Sequence, residues 1–296
     1  MCAASDVKDR VVLAHNLYDG ETASPATRAL ADYIIAQVEQ IERGDEGLRR
    51  GEDPIHDTRV SIRRLRSTLR VFGKLLDESA IDGTEDELKW FAGLLGDVRD
   101  CHVQQRRFIE ALNQIPDELV LGPVKARIRK DLRAAELPSR TRVSEAMDSA
   151  RYRALMDVLR LWRAAPPIAG NDITAKTLRK RARRAERKAD QRLAKALESG
   201  DDDMLHTARK AAKRARYAAE LRRPLDQRAK RTVKRYKHIQ GVLGEHQDAV
   251  IAIEALRRLA VTAGTSSGEN GFTYGMLYER ERRIAEQCRA DAQRLR

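Results

Sequence analysis

The chain has 296 residues, of which 35% are charged, and its formal net charge is +13. This length suits one large or two ordinary domains, and the positive field attracts nucleic acid, anionic membrane surfaces or inorganic polyanions. Only 2 Trp, 7 Tyr and 4 Phe occur, which is too few to suggest stacking platforms for single-stranded bases.

Nearly the whole chain has the apolar periodicity of α-helices. Residues 1–24 form an N-terminal extension that stays unassigned. The predicted helices span residues 25–49, 53–77, 84–114, 117–163 with a break near Pro138-Ser139, 172–198, 203–222, 226–261 and 272–295. The sequence therefore predicts an all-α fold.

Two motifs occur twice, at nearly equal offsets. The segments His56–Arg66 and His206–Arg216 both read H-x-x-R-x-x-x-(R/K)-R-x-R. Leu95–Asp100 and Leu243–Asp248 form a second pair, which begins L-G and ends in aspartate in both copies. Two correlated motifs indicate an internal duplication.

The boundary between the two copies falls in a linker rich in proline and glycine at residues 164–170. We therefore divide the chain into a first half, 25–165, and a second half, 171–296. Four helical segments per half predict two four-helix bundles related by a pseudo-twofold axis.

Helical geometry places the basic residues of each copy in one row, about 120° from an apolar stripe of the same helix. The rows consist of His56, Arg59, Arg63, Arg66 and Arg70 in the first copy and His206, Arg209, Lys213 and Arg216 in the second. Like charges at this spacing weaken a helix by about 0.2–0.5 kcal/mol per pair, and no acid lies on the first stripe. The pattern favours an anion-binding row. The alternative is a solvated face or one of interhelical ion pairs.

Two helices of the second half add further cations. The candidates are Lys176, Arg183 and Arg187 on the helix 172–198, and Lys234 and Lys237 near the start of the helix 226–261. The corresponding first-half positions are mostly neutral, since Tyr33 and Gln37 stand where the second half has Arg183 and Arg187. The second half is therefore the more basic.

The second motif of each copy places a glycine inside a long predicted helix, at Gly96 and Gly244. We expect these glycines to allow close helix approach or to relieve strain at a bulge. Asp100 and Asp248, which end the same motifs, are expected to orient basic side chains and not to act as catalytic acids.

The two motif histidines are predicted to be the third residues of their helices. Asp53 followed by Pro54, and Asp203, are the expected N-caps. The first turn of a helix has free N–H groups and a positive dipole end, which favour anions. Three roles stay open for His56 and His206: a capping or interhelical hydrogen bond, a hydrogen bond to phosphate, or covalent chemistry at the imidazole.

Catalytic signatures are weak. Glu85–Lys89 fits E-x-E-x-K, a signature of metal-dependent triphosphatases built on a β-tunnel, but it lies in a predicted helix where Thr84 and Glu87 form a capping box. The Cys101-His102 pair has no second Cys/His cluster nearby in sequence. Of the acids, only Asp57 adjoins a motif histidine. We therefore expect no metal, no cofactor and no enzymatic activity.

Three scattered cysteines form no disulfide framework, which fits a reducing cytoplasm. No apolar run is long enough to cross a bilayer, and the first residues lack the layout of a signal peptide. The expected location is therefore the cytoplasm, without membrane insertion.

The duplicated motifs resemble those of the CHAD domain family, the conserved-histidine α-helical domains. The resemblance covers about residues 25–296 and rests on both copies of both motifs. It implies two four-helix bundles with a basic central groove, binding of inorganic polyphosphate, and often association with polyphosphate granules. Carried over by position, the implied ligands are His56, Arg59, Arg63, Arg66, His206, Arg209, Lys213 and Arg216. The chain departs from the family pattern at Ala211, Ala215 and Gly241, which puts the groove's detailed shape in doubt.

The sequence thus favours non-catalytic binding of inorganic polyphosphate through paired rows of cations. A uniform chain of phosphates needs a row of cations and no base-reading groups, and helical side chains at i,i+3 and i,i+4 lie roughly 5–6 Å apart. A nucleic-acid-binding helical protein is the alternative, because nucleic acid would use the same charges. A phosphohydrolase or phosphotransferase is a weaker alternative.

Overall fold

The computed structural model describes residues 22–295 of the protein. Its helices are α1 (Pro25–Arg49), α2 (Ile55–Phe72), α3 (Glu78–Ile81), α4 (Thr84–Leu112), α5 (Val124–Asp148), α6 (Ala150–Ala164), α7 (Ala175–Ser199), α8 (Asp202–Leu221), α9 (Ala229–Gly264) and α10 (Phe272–Gln293). Short 3-10 helices occupy Gly73–Leu75 and Asp117–Leu119. Within residues 22–295 the only β-type pairing is one isolated bridge between Leu76 and Ile168. The all-α prediction is confirmed.

The predicted break in the helix 117–163 is wrong. Pro138 lies inside α5, and the chain breaks at Ser149, between α5 and α6. Ser149 Oγ accepts a hydrogen bond of 3.1 Å from the N–H of Tyr152, so its side chain caps α6. One missing N–H at a proline is tolerated here, whereas a serine cap starts a new helix.

The N-cap predicted for α2 is wrong by one residue. The helix begins at Ile55, and Pro54 occupies the N-cap position instead of Asp53. His56 is therefore the second residue of its helix. It still lies in the first turn, where the backbone N–H groups have no partner within the helix.

The N-cap predicted for α8 is wrong as well. This helix begins at Asp202, and Asp201 Oδ1 accepts a hydrogen bond of 2.8 Å from the N–H of Met204. His206 is consequently the fifth residue of α8, beyond the first turn. The two motif histidines thus do not share one helical position.

The chain divides into two compact units. Among the described residues, unit 1 contains those up to Gly96, Val143–Ala189 and Ala211–Lys237, and unit 2 contains Asp97–Arg142, Asp190–Lys210 and those from His238 onward. Each unit therefore includes segments from both sides of the predicted linker. The halves 25–165 and 171–296, and the pseudo-twofold axis between them, remain predictions about the duplication.

Each unit has its own apolar core. In unit 1, α1 packs against α2 and α6. The buried core residues include Leu30, Ile34, Ile41, Ile62, Leu65 and Tyr152 in unit 1, and Phe108, Ile128, Leu256, Tyr274 and Leu277 in unit 2. Burial of large apolar side chains is the main favourable contribution to folding of both units.

A fully buried threonine of α1 anchors the start of the second half. Thr27 Oγ1 donates to the carbonyl of Asn171 at 3.0 Å and accepts from the N–H of Ile173 at 3.2 Å. Ser24 N–H donates to the same Asn171 carbonyl at 2.9 Å. These bonds satisfy backbone groups of a segment that has no helix of its own.

Replacement of Thr27 by valine is expected to destabilise the protein by about 2 kcal/mol, because it leaves the buried N–H of Ile173 without its hydrogen-bond acceptor. Thermal unfolding of the variant measures the loss. The control is Thr207→Val on α8, an exposed position where the same change should alter stability by less than about 0.5 kcal/mol. Equal melting temperatures for the two variants would contradict the anchoring role.

Candidate functional site

Helix α2 separates packing from charge as predicted. Ile62 and Leu65 are fully buried, whereas Arg63 and Arg66 are half-buried and Arg70 is exposed. Arg63 makes no ion pair with any described residue, and its Nε is buried without a hydrogen-bond partner. The predicted row of cations is therefore present on α2. Its members differ in what they contact.

The first arginine of the row contacts backbone. Arg59 Nη1 donates to the carbonyl of Gly96 at 3.0 Å, and it lies 3.5 Å from the carbonyl of Leu95. A Cβ atom added at Gly96 would lie 3.1 Å from Arg59 Nη2. The glycine thus makes room for a guanidinium group, which ties α2 to α4.

The second copy repeats this contact in unit 2. A Cβ atom added at Gly244 of α9 would lie 3.3 Å from Arg209 Nη2. Arg209 Nη1 lies 3.8 Å from Asp248 Oδ1, which agrees with the predicted orienting role of that aspartate. Close helix approach or relief of strain at a bulge was the expectation for Gly96 and Gly244, and the group that the structure places beside each of them is an arginine side chain.

Two other glycines show how specific this arrangement is. Gly93 and Gly241 lie three residues before Gly96 and Gly244 in their helices, and a Cβ atom added at either would meet nothing within 4 Å. In each long helix the glycine three residues before the motif glycine therefore faces open space, whereas the motif glycine lies beneath an arginine.

The next two arginines of the first row share a carboxylate from α4. Arg66 Nη2 and Arg70 Nη2 lie 3.0 and 2.6 Å from Glu85 Oε1. Burial raises the pKa of Glu85, but hydrogen bonds from Arg70 and Arg66 more than offset this, so the pKa lies below its usual value. The acid missing from the α2 stripe is supplied by another helix. Arg66 and Arg70 therefore form interhelical ion pairs, which was the alternative to an anion-binding row.

A second shared carboxylate lies deeper in unit 1. Glu220 of α8 pairs with Arg64 and Arg216, each at 3.1 Å. Its Oε2 lies 3.5 Å from the Tyr33 hydroxyl, whose pKa is raised by burial and by this carboxylate. The Arg64 and Arg216 guanidinium groups also lie over the Tyr217 ring, 5.6 and 4.8 Å from its centroid. Sequence analysis missed this cluster, because Arg64 falls outside the basic sector of its helix.

The remaining motif residues differ in exposure. His206 Nδ1 lies 2.8 Å from Gln247 Oε1, an interhelical hydrogen bond and thus one of the three predicted roles. His56 is exposed, and Lys213 is half-buried. A contact with phosphate stays a prediction for both histidines.

The cations of α7 and α9 form a different class. Lys176, Arg183, Arg187, Lys234 and Lys237 are exposed, and none pairs with an acid among the described residues. The two helices meet where the Tyr236 hydroxyl donates to the Glu186 carbonyl at 3.1 Å. The Glu186 carboxylate, the only acid between Lys176 and Lys188, lies 3.5 Å from buried Arg222. The one acid of that run therefore pairs with Arg222 and with none of the exposed cations Lys176, Arg183 and Arg187.

The predicted site residues are unevenly distributed between the units. All of them lie in segments of unit 1 except His206 and Arg209, which lie in unit 2. The second copy of the first motif is thus divided between the units, since Lys213 and Arg216 belong to unit 1. Unit 1 therefore contains most of the candidate site.

The described residues contain few features of a metal site or of a membrane-spanning segment. Within residues 22–295 no group of three or more His, Cys, Asp and Glu side chains is placed to hold a metal ion. His102 Nε2 lies 2.8 Å from Glu136 Oε1, and Glu136 also pairs with Arg140. In the same part of the chain no helix is long and apolar enough to cross a membrane.

Known proteins resemble this chain over most of its length. The CHAD domain family model matches residues 32–257. Two uncharacterized proteins, from two strains of Mycobacterium tuberculosis, are each 35% identical over 277 residues, which is 90% of this chain and 51% of the relative. The chain spans about half the length of these curated relatives.

Solved structures agree with the helical architecture. PptA from Streptomyces chartreusis is similar with a TM-score of 0.75 and 25% identity, over 92% of this chain and 99% of that one. The CHAD domain from the plant Ricinus communis gives a TM-score of 0.69 at 23% identity, over 93% of this chain and 91% of that domain. Both similarities support the all-α fold.

The glycine pairs give a test of the arginine contacts. Alanine at Gly93 or Gly241 should stabilise the protein by about 0.5–1 kcal/mol, since it removes backbone freedom from a helix and meets nothing. Leucine at Gly96 or Gly244 should destabilise it, because the side chain displaces Arg59 or Arg209. Thermal unfolding of the four variants checks both signs. Leucine tolerated at Gly96 would show that the Arg59 contact does not hold α2 to α4.

Proposed function

The chain belongs to the CHAD domain family, and from this premise we propose that it binds inorganic polyphosphate through the cations of unit 1. The observation that carries the proposal is the set of exposed cations on α7 and α9 that have no acid partner among the described residues. A cation that already has a carboxylate partner offers less to a phosphate than one held only by water. These residues are therefore the first contacts of the ligand.

The row of arginines on α2 supplies the second part of the site. Arg63 makes no ion pair with a described residue, and Arg70 is 44% exposed at its side chain. Arginine presents several N–H groups in a planar fork, which suits the non-bridging oxygens of successive phosphates. The α2 row therefore orders a ligand that the exposed lysines and arginines attract.

The proposed ligand is polyphosphate in preference to nucleic acid. A base-reading protein uses a recognition helix or aromatic side chains next to its cations. The large aromatic residues Tyr152, Tyr236, Tyr274, Phe72, Phe91 and Phe108 are all fully buried. These six rings are therefore unavailable for stacking on bases, which favours a ligand recognised by its charge.

We further propose that the protein binds without catalysing a reaction on its ligand. Activation of a histidine as nucleophile or base calls for a positioned partner, most often a carboxylate. His206 faces the amide of Gln247 at 2.8 Å, and that neutral group favours a hydrogen-bonding role. A cytoplasmic location, with recruitment to polyphosphate granules, belongs to the same proposal.

Selectivity is the direct test of the ligand. Long-chain polyphosphate should bind more tightly than duplex DNA or RNA of equal total charge, measured side by side at near-physiological salt. Affinity for both should fall steeply as salt rises, because each phosphate contact releases counterions. Equal or tighter binding of random-sequence DNA would contradict the proposed ligand and favour the nucleic-acid alternative.

The exposed cations can be tested as a group. Substitution of Lys176, Arg183 and Arg187 by glutamine should weaken polyphosphate binding about tenfold, if each contributes about 0.5 kcal/mol. Stability should be unchanged or slightly higher, since these like charges repel one another along α7. Binding isotherms and thermal unfolding give the two measurements.

The matched control uses three exposed cations of α5 in unit 2, replaced as Arg129→Gln, Lys130→Gln and Arg133→Gln. This variant loses the same net charge from positions outside the proposed site. Its affinity should stay within about twofold of the wild type, since none of the three is a proposed ligand contact and salt screens the effect of net charge alone. Equal weakening by both triple variants would mean that net charge alone governs binding.

A further inference from the structure

We propose that Glu85 is an internal anion that occupies Arg66 and Arg70 and makes the site select long phosphate chains over short ones. The inference rests on the proposed function and assigns a specificity-determining residue within it. The carboxylate comes from α4, both arginines come from α2, and all three belong to unit 1. Three N–H groups converge on one atom, Glu85 Oε1: Arg66 Nε at 3.2 Å, Arg66 Nη2 at 3.0 Å and Arg70 Nη2 at 2.6 Å.

The charges of this trio decide what an incoming phosphate meets. One carboxylate between two guanidinium groups leaves a net charge of about +1, where Arg66 and Arg70 alone would present about +2. A phosphate that approaches Arg66 and Arg70 is attracted by both and repelled by Glu85. It gains the full attraction only when the carboxylate swings away.

The position of Glu85 makes that exchange feasible. Its side chain is 29% exposed and that of Arg70 is 44% exposed, so solvent reaches the pair. Ion pairs with this exposure are weak, and a multiply charged anion can replace the carboxylate. Glu220 differs, because its side chain is only 15% exposed and it is also near the Tyr33 hydroxyl. Glu220 holds the fold, whereas Glu85 is displaceable.

Displacement of Glu85 affects short and long ligands differently. A short phosphate contacts little beyond this trio, so the cost of moving the carboxylate cancels much of its attraction. A long chain contacts further cations of unit 1 at the same time, among them Arg63, and each added contact is intramolecular once the chain is bound. Displacement of Glu85 therefore reduces the affinity for short phosphates more than the affinity for long chains.

The test compares two charge-neutralising substitutions on one helix. Glu85→Gln keeps the shape and a hydrogen-bond acceptor for the arginines but removes the competing charge. Glu87→Gln is the matched control, since Glu87 lies on the same helix and pairs with Arg151 at 2.6 Å, outside the basic row. Dissociation constants for tripolyphosphate and for long-chain polyphosphate are measured for both variants and the wild type.

Glu85→Gln should tighten tripolyphosphate binding about fivefold and long-chain binding about twofold or less, so that discrimination between the two ligands falls. Glu87→Gln should leave both constants within about twofold of the wild type. Identical behaviour of the two variants, or weaker binding by Glu85→Gln, would overturn the proposed role of Glu85 and leave the proposed function standing. Absence of polyphosphate binding by all three proteins would overturn the proposed function and this inference with it.

A measurement on the wild-type protein covers the case in which Glu85→Gln fails to fold. The side-chain carboxyl ¹³C resonance of Glu85 should shift when long-chain polyphosphate is added, because its arginine partners are exchanged for water. The Glu87 resonance should stay in place and serves as the internal reference. Saturating polyphosphate that leaves the Glu85 resonance unmoved would overturn the inference.

Discussion

Guanidinium groups of like charge stand in a row on α2, while the other face of the same helix must pack. The positions along the helix meet this constraint in different ways. Arg59 donates a hydrogen bond to the backbone carbonyl of Gly96, and Arg66 and Arg70 share the carboxylate of Glu85. Both solutions use a partner from α4. The basic row therefore helps to fix how α4 lies against α2, and folding and ligand attraction depend on the same side chains.

The depth of each charged group in unit 1 separates these two tasks. Loss of one partner from a buried ion pair leaves an uncompensated charge and costs about 3–5 kcal/mol, whereas an exposed pair contributes about 0–1 kcal/mol. Glu220 and Arg216 lie toward the first limit, Arg70 lies toward the second, and the α7 cations are exposed to solvent. This gradation orders the side chains from those that hold the fold to those that are available to a ligand.

Sequence periodicity predicted the helices and the basic row, but not their boundaries or partners. The break at Ser149 in place of Pro138 depends on one hydroxyl and one N–H, which periodicity does not contain. Arg66 and Arg70 were predicted from the spacing of their own helix. In the sequence Glu85 belongs only to a triphosphatase-like pattern. Its contacts with Arg66 and Arg70 follow from tertiary packing, so the sequence does not predict them. A pattern within one helix reports which side chains share a face, and says nothing of what a second helix brings to that face.

The two copies also show that motif and free charge are separate properties. The contact of Arg59 above Gly96 recurs as Arg209 above Gly244, so the duplicated motif marks positions where helices are held together. The exposed cations of α7 have no counterpart on α1, where Tyr33 is near Glu220 and Gln37 is buried. The α1 positions contact neighbouring side chains or are buried, whereas the corresponding α7 positions are exposed cations. The proposed affinity for polyphosphate therefore depends most on the exposed cations of α7, which α1 lacks. The motif arginines Arg59 and Arg209 mainly stabilise the contacts between helices.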